Sequence, residues 1–364
     1  MRENDKISSK QIRALLVSTI VGASILSLPN KMALELGNDG WIGILLSGLL
    51  ALPIIIIINK LFQIYPDKDF FEIGRIALGK WLFNIFLIIF LSYNIVLMSI
   101  VSRNLAEILK AFLLETTPTE IMIISFILVT TYISRSEIQI IGRAAYHIYP
   151  IVLGFTIFLL LVSLTSVDFT NMLPVFQSNM KNLPKGIIIS FLSYTGYEIL
   201  LFSLPFTEDR ENTIKPSLIG FGIVIAIYVI LFVLALSQYG LHSLQRQIFP
   251  ILSLMKEIDL PGYFIENLDG LVVSIWVIVI FGTVAPFYYS SGKILSNLFS
   301  TRDHSLFIAP LIPFIYIISL IPQNMIQINE QLVKPMNYLG FISIVLLPII
   351  IYFVGIFKSR RSDQ

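Results

Sequence analysis

The sequence contains no cysteine, and only 13% of its 364 residues are charged. The lack of cysteine excludes disulfide bonds, thiolate catalysis and cysteine-based metal sites. Hydrophobic residues make up 56% of the chain, more apolar surface than a soluble core could bury, so the composition predicts an integral membrane protein in a lipid bilayer. The net charge is only +2 and the basic residues form no stripe, so a nucleic-acid partner is not expected.

Signatures of catalysis are also missing. The three histidines, His147, His242 and His304, lie far apart in sequence, which argues against a metal site. The chain has no glycine-rich phosphate loop of the P-loop type and no recognisable Ser/His/Asp arrangement. We therefore predict no enzymatic activity, no catalytic residues, no metal and no cofactor.

Hydrophobic runs of membrane-spanning length dominate the chain. A helix needs about 20 apolar residues to cross the hydrocarbon layer. Ten segments approach this length, and they are residues 11–34, 39–63, 82–112, 118–135, 144–166, 186–206, 215–240, 266–291, 305–322 and 336–357. If the N-terminus is cytoplasmic, the inner segments carry more than twice as many Lys and Arg residues as the outer ones. We therefore expect both termini to be cytoplasmic, with residues 1–10 as a polar tail and not a cleaved signal.

The connecting segments are too short to form a soluble domain. Residues 167–185, which include two prolines, are expected to form an extracellular excursion. Residues 242–266 contain apolar residues at helical spacing but are too short and too charged to span, so they should form a surface cap. The sequence predicts a single transmembrane domain over residues 1–364, with one repeat at about 11–166 and a second at about 186–357.

Two of the predicted spans contain helix-breaking sequences at corresponding places. The first span carries Gly22 and Ser24 before Pro29, and the sixth carries Gly196 before Pro205. Paired interrupted helices indicate the substrate site in transporters built from inverted repeats. The binding residues predicted at the two breaks are Gly22, Ala23, Ser24, Ile25, Tyr194, Thr195, Gly196, Tyr197 and Glu198.

An interrupted helix leaves backbone N–H and C=O groups free at membrane depth. The start of a half-helix also attracts an anion such as a carboxylate. These properties suit an amino acid, whose carboxylate would bind at the first break and whose ammonium would bind carbonyls or a carboxylate. In the alternative, the small residues serve only to let helices pack closely.

Glu198 is the most informative single residue. A carboxylate at the centre of a span costs about 2.5–3.5 kcal/mol on insertion scales, so it normally faces the bundle interior or a wet cavity. It could contact a ligand amine, hold a coupling proton or connect two helices. A structural hydrogen bond is the remaining alternative.

The third and eighth spans are expected to complete the site. Tyr93, Leu97 and Met98 form a helical stripe on the third span, and Thr283 and Phe287 share a face of the eighth. Stripes of this kind more often serve packing than binding. Arg103, near the outer end of the third span, is expected to extend to the lipid headgroups.

These features together resemble the B-subunit, permease-like family of spore germinant receptors. The resemblance rests on the ten spans, the Gly22-to-Pro29 break, Gly142-Arg143 ahead of Tyr149-Pro150, the Gly196-Tyr197-Glu198 centre, and the pattern Pro250, Leu254, Lys256, Ile258, Leu260-Pro261-Gly262, Glu266, Leu268-Asp269, Trp276. Asn267 departs from the family, which more often carries a basic residue there.

The resemblance implies a fold and a function. The fold is that of the amino acid, polyamine and organocation transporter superfamily: all-α, with ten transmembrane helices in a five-plus-five inverted repeat (LeuT-like) and helices 1 and 6 broken. The function is a nutrient-sensing subunit that binds a small germinant, expected to be an amino acid, and signals to A and C subunits in the inner membrane of the spore. The alternative is a secondary amino acid transporter, in which Glu198 could carry a proton.

Overall fold

The computed structural model describes residues 6–163, 167–177, 180–256 and 268–362. Most of this part of the chain is helical. Its β-type hydrogen bonding is an isolated parallel bridge between Ile7 and Thr207. The helices before residue 167 are α1 (Ser9–Ser24), α2 (Leu28–Leu36), α3 (Gly40–Ile64), α4 (Phe70–Leu78), α5 (Lys80–Phe112), α6 (Thr119–Ser134) and α7 (Ile138–Ser163).

The second half contains more and shorter helices. Its helices are α8 (Leu183–Phe191), α9 (Leu200–Ser203), α10 (Ile214–Leu244), α11 (Pro250–Lys256), α12 (Leu268–Leu298), α13 (Ser305–Ile308), α14 (Leu311–Leu320), α15 (Met325–Gln327), α16 (Lys334–Gly340) and α17 (Leu347–Ser362). Three 3₁₀ turns, Leu192–Tyr194, Tyr197–Ile199 and Leu204–Phe206, surround α9. Two π-helical segments, Ile328–Val333 and Phe341–Leu346, flank α16.

The apolar helices confirm a polytopic membrane protein. Within the described ranges, six helices are long and apolar enough to cross a membrane, and the number is seven if Leu183–Tyr194 and Tyr197–Phe206, which are bent by 44°, count as one span. Two shorter apolar helices, Thr119–Ser134 and Ser305–Leu320, match the predicted fourth and ninth spans. The total of ten crossings remains a prediction.

The first helix is interrupted as predicted, but slightly later than its small residues. The α1 helix begins at a capping box formed by Ser8 and Gln11, and it continues through Gly22 to Ser24. Residues 25–27 separate it from α2, which carries Pro29 in its first turn. Proline suits the first turn of a helix because the N–H it lacks would have no helical partner there.

The α1 helix lies at the centre of the bundle. It packs against α7, α10 and α12, and the 3₁₀ turns around the second break also contact it. Residues 14–22 of α1 are all buried, as expected for a helix surrounded on every side. Both interrupted helices are therefore held in the interior, where a site would be shielded from lipid.

The predicted surface cap is only partly described. The α11 helix packs between α10 and α12, and Ile251, Leu252 and Leu254 are buried there. Residues 257–267 lie outside the described ranges. They include Ile258 to Glu266 and Asn267, which carry part of the family resemblance.

Candidate functional site

The second break lies against α1 at Ile20, more than one turn before the first break at residues 25–27. A methyl group added at Gly196 would lie 3.0 Å from Ile20 Cγ1 and 3.1 Å from the Ile20 backbone nitrogen. The Tyr228 hydroxyl, on α10, lies 3.1 Å from the Ile20 carbonyl oxygen and 3.1 Å from the Ser193 carbonyl oxygen. One tyrosine hydroxyl therefore lies between the α1 backbone at Ile20 and the 3₁₀ turn that precedes the second break.

The second break is a full departure from helical geometry. Thr195 has φ −56° and ψ 143°, and Gly196 has φ 122°. A positive φ of this size favours glycine, because a Cβ atom would clash with the local backbone. The chain becomes helical again from Tyr197, so the free backbone groups are concentrated at Thr195 and Gly196.

Glu198 is buried at this break, with 2% of its surface exposed. Its Oε1 accepts a hydrogen bond of 2.8 Å from the Tyr93 hydroxyl. Its Oε2 accepts a hydrogen bond of 2.7 Å from the Gly196 backbone N–H. Among the ion pairs of the described residues, none involves Glu198. The carboxylate is thus held by neutral donors, which include the Tyr93 hydroxyl, the Gly196 N–H and its own backbone N–H.

Two neighbouring tyrosines attach the second break to other helices. The Tyr194 hydroxyl donates to the Ile44 carbonyl on α3 at 2.9 Å. The Tyr197 hydroxyl donates to the Ile344 carbonyl in a π-helical segment at 3.1 Å. The irregular backbone is therefore fixed from two sides, which favours a defined site over a loosely packed turn.

The first break is dominated by packing against α12. The Thr283 hydroxyl donates to the Ser18 carbonyl at 2.9 Å. A Cβ atom at Gly22 would lie only 2.1 Å from Thr283 Oγ1, so glycine permits this close approach. Ser24 is half-buried and Ile25 is buried, while Ala23 belongs to α1 and its side chain lies outside the described part. The packing alternative has direct support at Gly22.

The remaining predicted site residues lie on α5 and α12. Two of them reach the second break, and two lie further along α5. Tyr93 contacts Glu198, and the Phe287 ring packs edge-on against Tyr93 with centroids 6.4 Å apart. Leu97 and Met98 are buried about one turn further along α5. The third and eighth spans therefore meet at the second break, with Tyr93 as the polar contact.

Tyr228 is a residue that the sequence analysis did not identify. It lies within a 31-residue apolar helix, where a buried hydroxyl needs a hydrogen-bond partner. That requirement was a signal in the sequence, but it does not reveal which backbone groups the hydroxyl reaches. The partners, at Ile20 and Ser193, come from α1 and from the second break.

Arg103 differs from its expected position. It is 8% exposed, and its guanidinium Nη2 lies 2.7 Å from Glu107 Oε1. The side chain is thus buried in an ion pair one turn along α5. A neighbouring carboxylate satisfies the charge at less cost than exposure to the hydrocarbon.

A separate cleft of about 70 Å³ lies at one end of the bundle, between the start of α4, α9 and the last turns of α12. Asp69, Phe202 and Lys293 are among its lining residues. Burial is the main cause that raises the pKa of the Asp69 carboxyl, although backbone hydrogen bonds at the α4 start oppose it. The cleft does not include Glu198, so it is distinct from the two breaks.

A charged cluster lies beside this cleft. Lys293 Nζ is 3.1 Å from one Glu137 carboxylate oxygen, and His304 Nδ1 is 3.7 Å from the other. Burial of the His304 ring, followed by the nearby Lys293 charge, lowers its pKa. The cluster connects α7, α12 and the segment before α13.

Comparison with solved structures shows the fold. The chain aligns with a Na+-coupled sialic acid symporter in its substrate-bound outward-open state, with a TM-score of 0.67 and 12% identity over 94% of this chain and 80% of that one. The fold is therefore the LeuT-like transporter fold, with helices 1 and 6 broken.

Relatives of known name give the family. The chain is 29% identical over 320 residues to Spore germination protein YndE of Bacillus subtilis (strain 168), covering 88% of each chain. It is 27% identical over 366 residues to Spore germination protein A2 of the same organism, covering 99% of this chain and 98% of that protein. A family model described as Spore germination protein matches residues 6–328. The chain therefore belongs to the spore germination protein family, a family of permease-like membrane proteins and not of enzymes.

Proposed function

We propose that this chain is the nutrient-sensing membrane subunit of a spore germinant receptor. It binds a small germinant, expected to be an amino acid, between the two helix breaks. Binding favours one conformation of the bundle, and that population shift is passed to partner subunits. The chain performs no catalysis.

One observation carries the proposal: a buried carboxylate, Glu198, lies at the break of a helix and is held by neutral donors alone. An ammonium group is the natural complement of such a carboxylate, because a buried charge is stabilised by an opposite one. The adjacent Thr195–Gly196 backbone offers hydrogen bonds to a ligand carboxylate. A small zwitterion meets both requirements.

Membership of the family supports a proposal for the location and the partners. We propose that the chain resides in the inner membrane of the spore with A and C receptor subunits. Contacts at one end of the bundle support both termini on the same side. Ile7 pairs with Thr207, Gln63 donates to the Glu211 carbonyl, and Lys358 donates to the Ile76 carbonyl. The distribution of Lys and Arg favours the cytoplasm for that side.

The alternative is a secondary transporter of amino acids. It is favoured by the fold shared with a symporter. The two functions differ in whether the chain alone moves its ligand. Reconstitution of the purified chain in lipid vesicles separates them, because uptake of radiolabelled amino acids without partner subunits would identify a carrier.

The germination response tests the proposal directly. Spores that lack this chain should lose the fall in optical density induced by at least one member of a panel of the 20 amino acids. Restoring the chain should restore the response, and restoring it with Gly196→Ala should not. Gly79→Ala is a matched control, because Gly79 also has a positive φ but has no atom near its added Cβ. Equal responses with and without the chain to every amino acid would contradict the function.

A further inference from the structure

The hydrogen bonds of Glu198 use the groups that a ligand carboxylate would need. At the second break, the Gly196 N–H is taken by Glu198 Oε2 at 2.7 Å. The Tyr93 hydroxyl is taken by Glu198 Oε1 at 2.8 Å. The protein's own carboxylate therefore fills the position where an anionic ligand group would bind.

Two features separate this arrangement from an ordinary helix cap. The bond to Gly196 is local, two residues away, but the bond to Tyr93 crosses 105 residues of sequence to α5. A carboxylate is an acceptor only, so these donors suit it, yet no cation pairs with Glu198 in the ion pairs of the described residues. The carboxylate therefore has hydrogen-bond donors but no cationic partner in the ion pairs of the described residues.

We propose that Glu198 is the resident occupant of a carboxylate subsite and that the ligand enters by exchange. The ligand carboxylate takes the Gly196 N–H and the Tyr93 hydroxyl, and the displaced Glu198 pairs with the ligand ammonium. No covalent bond changes. This mechanism rests on the proposed function for its ligand, and it explains why the ligand must carry both charges: an amine alone cannot displace Glu198, and a carboxylate alone leaves Glu198 without a partner.

Exchange also supplies the conformational signal. While Glu198 is bound to Tyr93, the second half of the broken helix is attached to α5. When the ligand takes the Tyr93 hydroxyl, that direct link is replaced by one through the ligand. The position of Tyr197–Phe206 relative to α5 then depends on the ligand, which is the differential contact that a population shift requires.

Removal of the resident carboxylate tests the proposal. The Glu198→Ala substitution removes a CH₂–COO⁻ group, which has the same heavy atoms as acetate. We expect the purified full-length variant in detergent to melt below the wild type. Sodium acetate should raise its melting temperature by about 2 °C or more relative to sodium chloride at equal ionic strength.

Two controls define the site. The wild type and Glu198→Gln keep the position filled, so neither should show an acetate-specific rise. In Glu198→Ala/Tyr93→Phe, one donor is lost, and the acetate concentration for half of the effect should increase roughly fivefold or more. An acetate effect that is the same in Glu198→Ala and wild type would overturn the proposal. So would failure of Glu198→Ala to fold both without acetate and with it.

These outcomes are separable from those of the germination assay. Acetate rescue without any nutrient phenotype would retain the carboxylate subsite and remove the sensing role. A nutrient phenotype without acetate rescue would retain the sensor and make Glu198 a permanent structural cap.

Discussion

The two helix breaks occupy corresponding places in the two halves of the chain, but their geometry differs. At the first break, Ile25 has φ −57° and ψ −34°, and Ser27 has φ −104° and ψ −13°, so the backbone stays close to helical. At the second, Gly196 has φ 122° and the chain leaves the helical region. The first break is a loosened turn, whereas the second is a true interruption.

Their polar groups differ as well. The first break is covered by Thr283, which is satisfied by the Ser18 carbonyl. The second contains Glu198, a buried carboxylate with a partner on another helix. The comparison teaches that the two halves of the chain need not contribute equally. Here the first half contributes close helix packing at Gly22, and the second half contributes the buried carboxyl group of Glu198.

The largest expected effect is that of Gly196→Ala. The added Cβ would be strained at a positive φ and would press on the Ile20 backbone. We expect a loss of about 3 kcal/mol in unfolding free energy, measured by melting in detergent, together with loss of the germination response. A variant as stable as the wild type would show that the second break tolerates side chains and would remove the distinction between the breaks.

Gly22→Ala should have the next largest effect. Its Cβ would overlap Thr283 Oγ1, so the Thr283 side chain must move and lose its bond to Ser18. Overpacking of this kind costs about 2 kcal/mol. Gly222→Ala, where the added Cβ meets no atom within 4 Å, is the control and should melt like the wild type. If both variants melt alike, the first break is not the tight contact described here.

Tyr228→Phe removes the hydroxyl that lies between α1 and the 3₁₀ turn before the second break. The Ile20 and Ser193 carbonyls would lose this donor, at a cost of about 1 kcal/mol. The melting temperature should fall less than in either glycine variant. A double variant with Gly196→Ala should lose less than the sum of the two single losses if Tyr228 acts through the contact between α1 and the second break. Simple additivity would contradict that coupling.

The smallest effect concerns pH and lies outside both breaks. Burial and the Lys293 charge lower the pKa of His304, so the folded state favours the neutral ring. Its stabilising contribution is therefore complete above the ordinary histidine pKa of about 6.5 and is lost as pH falls below that value. His304→Gln should reduce the fall in melting temperature between pH 7 and pH 5. An unchanged pH profile would assign the dependence to other groups.

Much of the fold could be predicted from the chain. The bounds of α5, Lys80–Phe112, and α6, Thr119–Ser134, lie within two residues of the predicted spans, because length and hydropathy are local properties. The first break lies after Ser24, later than its glycine, because helix ends depend on packing as well as on composition. The burial of Arg103 could not be predicted from its place near a span end for the same reason: it depends on the helices around α5.

The sequence alone determined that the chain belongs in a membrane, that two helices are interrupted and that Glu198 is exceptional, because each follows from residue types in one local stretch. The tertiary structure decided that Glu198 binds Tyr93, that Tyr228 binds the Ile20 carbonyl and that Gly22 lies under Thr283. These contacts cross more than a hundred residues of sequence. Their partners are selected by how the helices pack, and no local pattern encodes that choice.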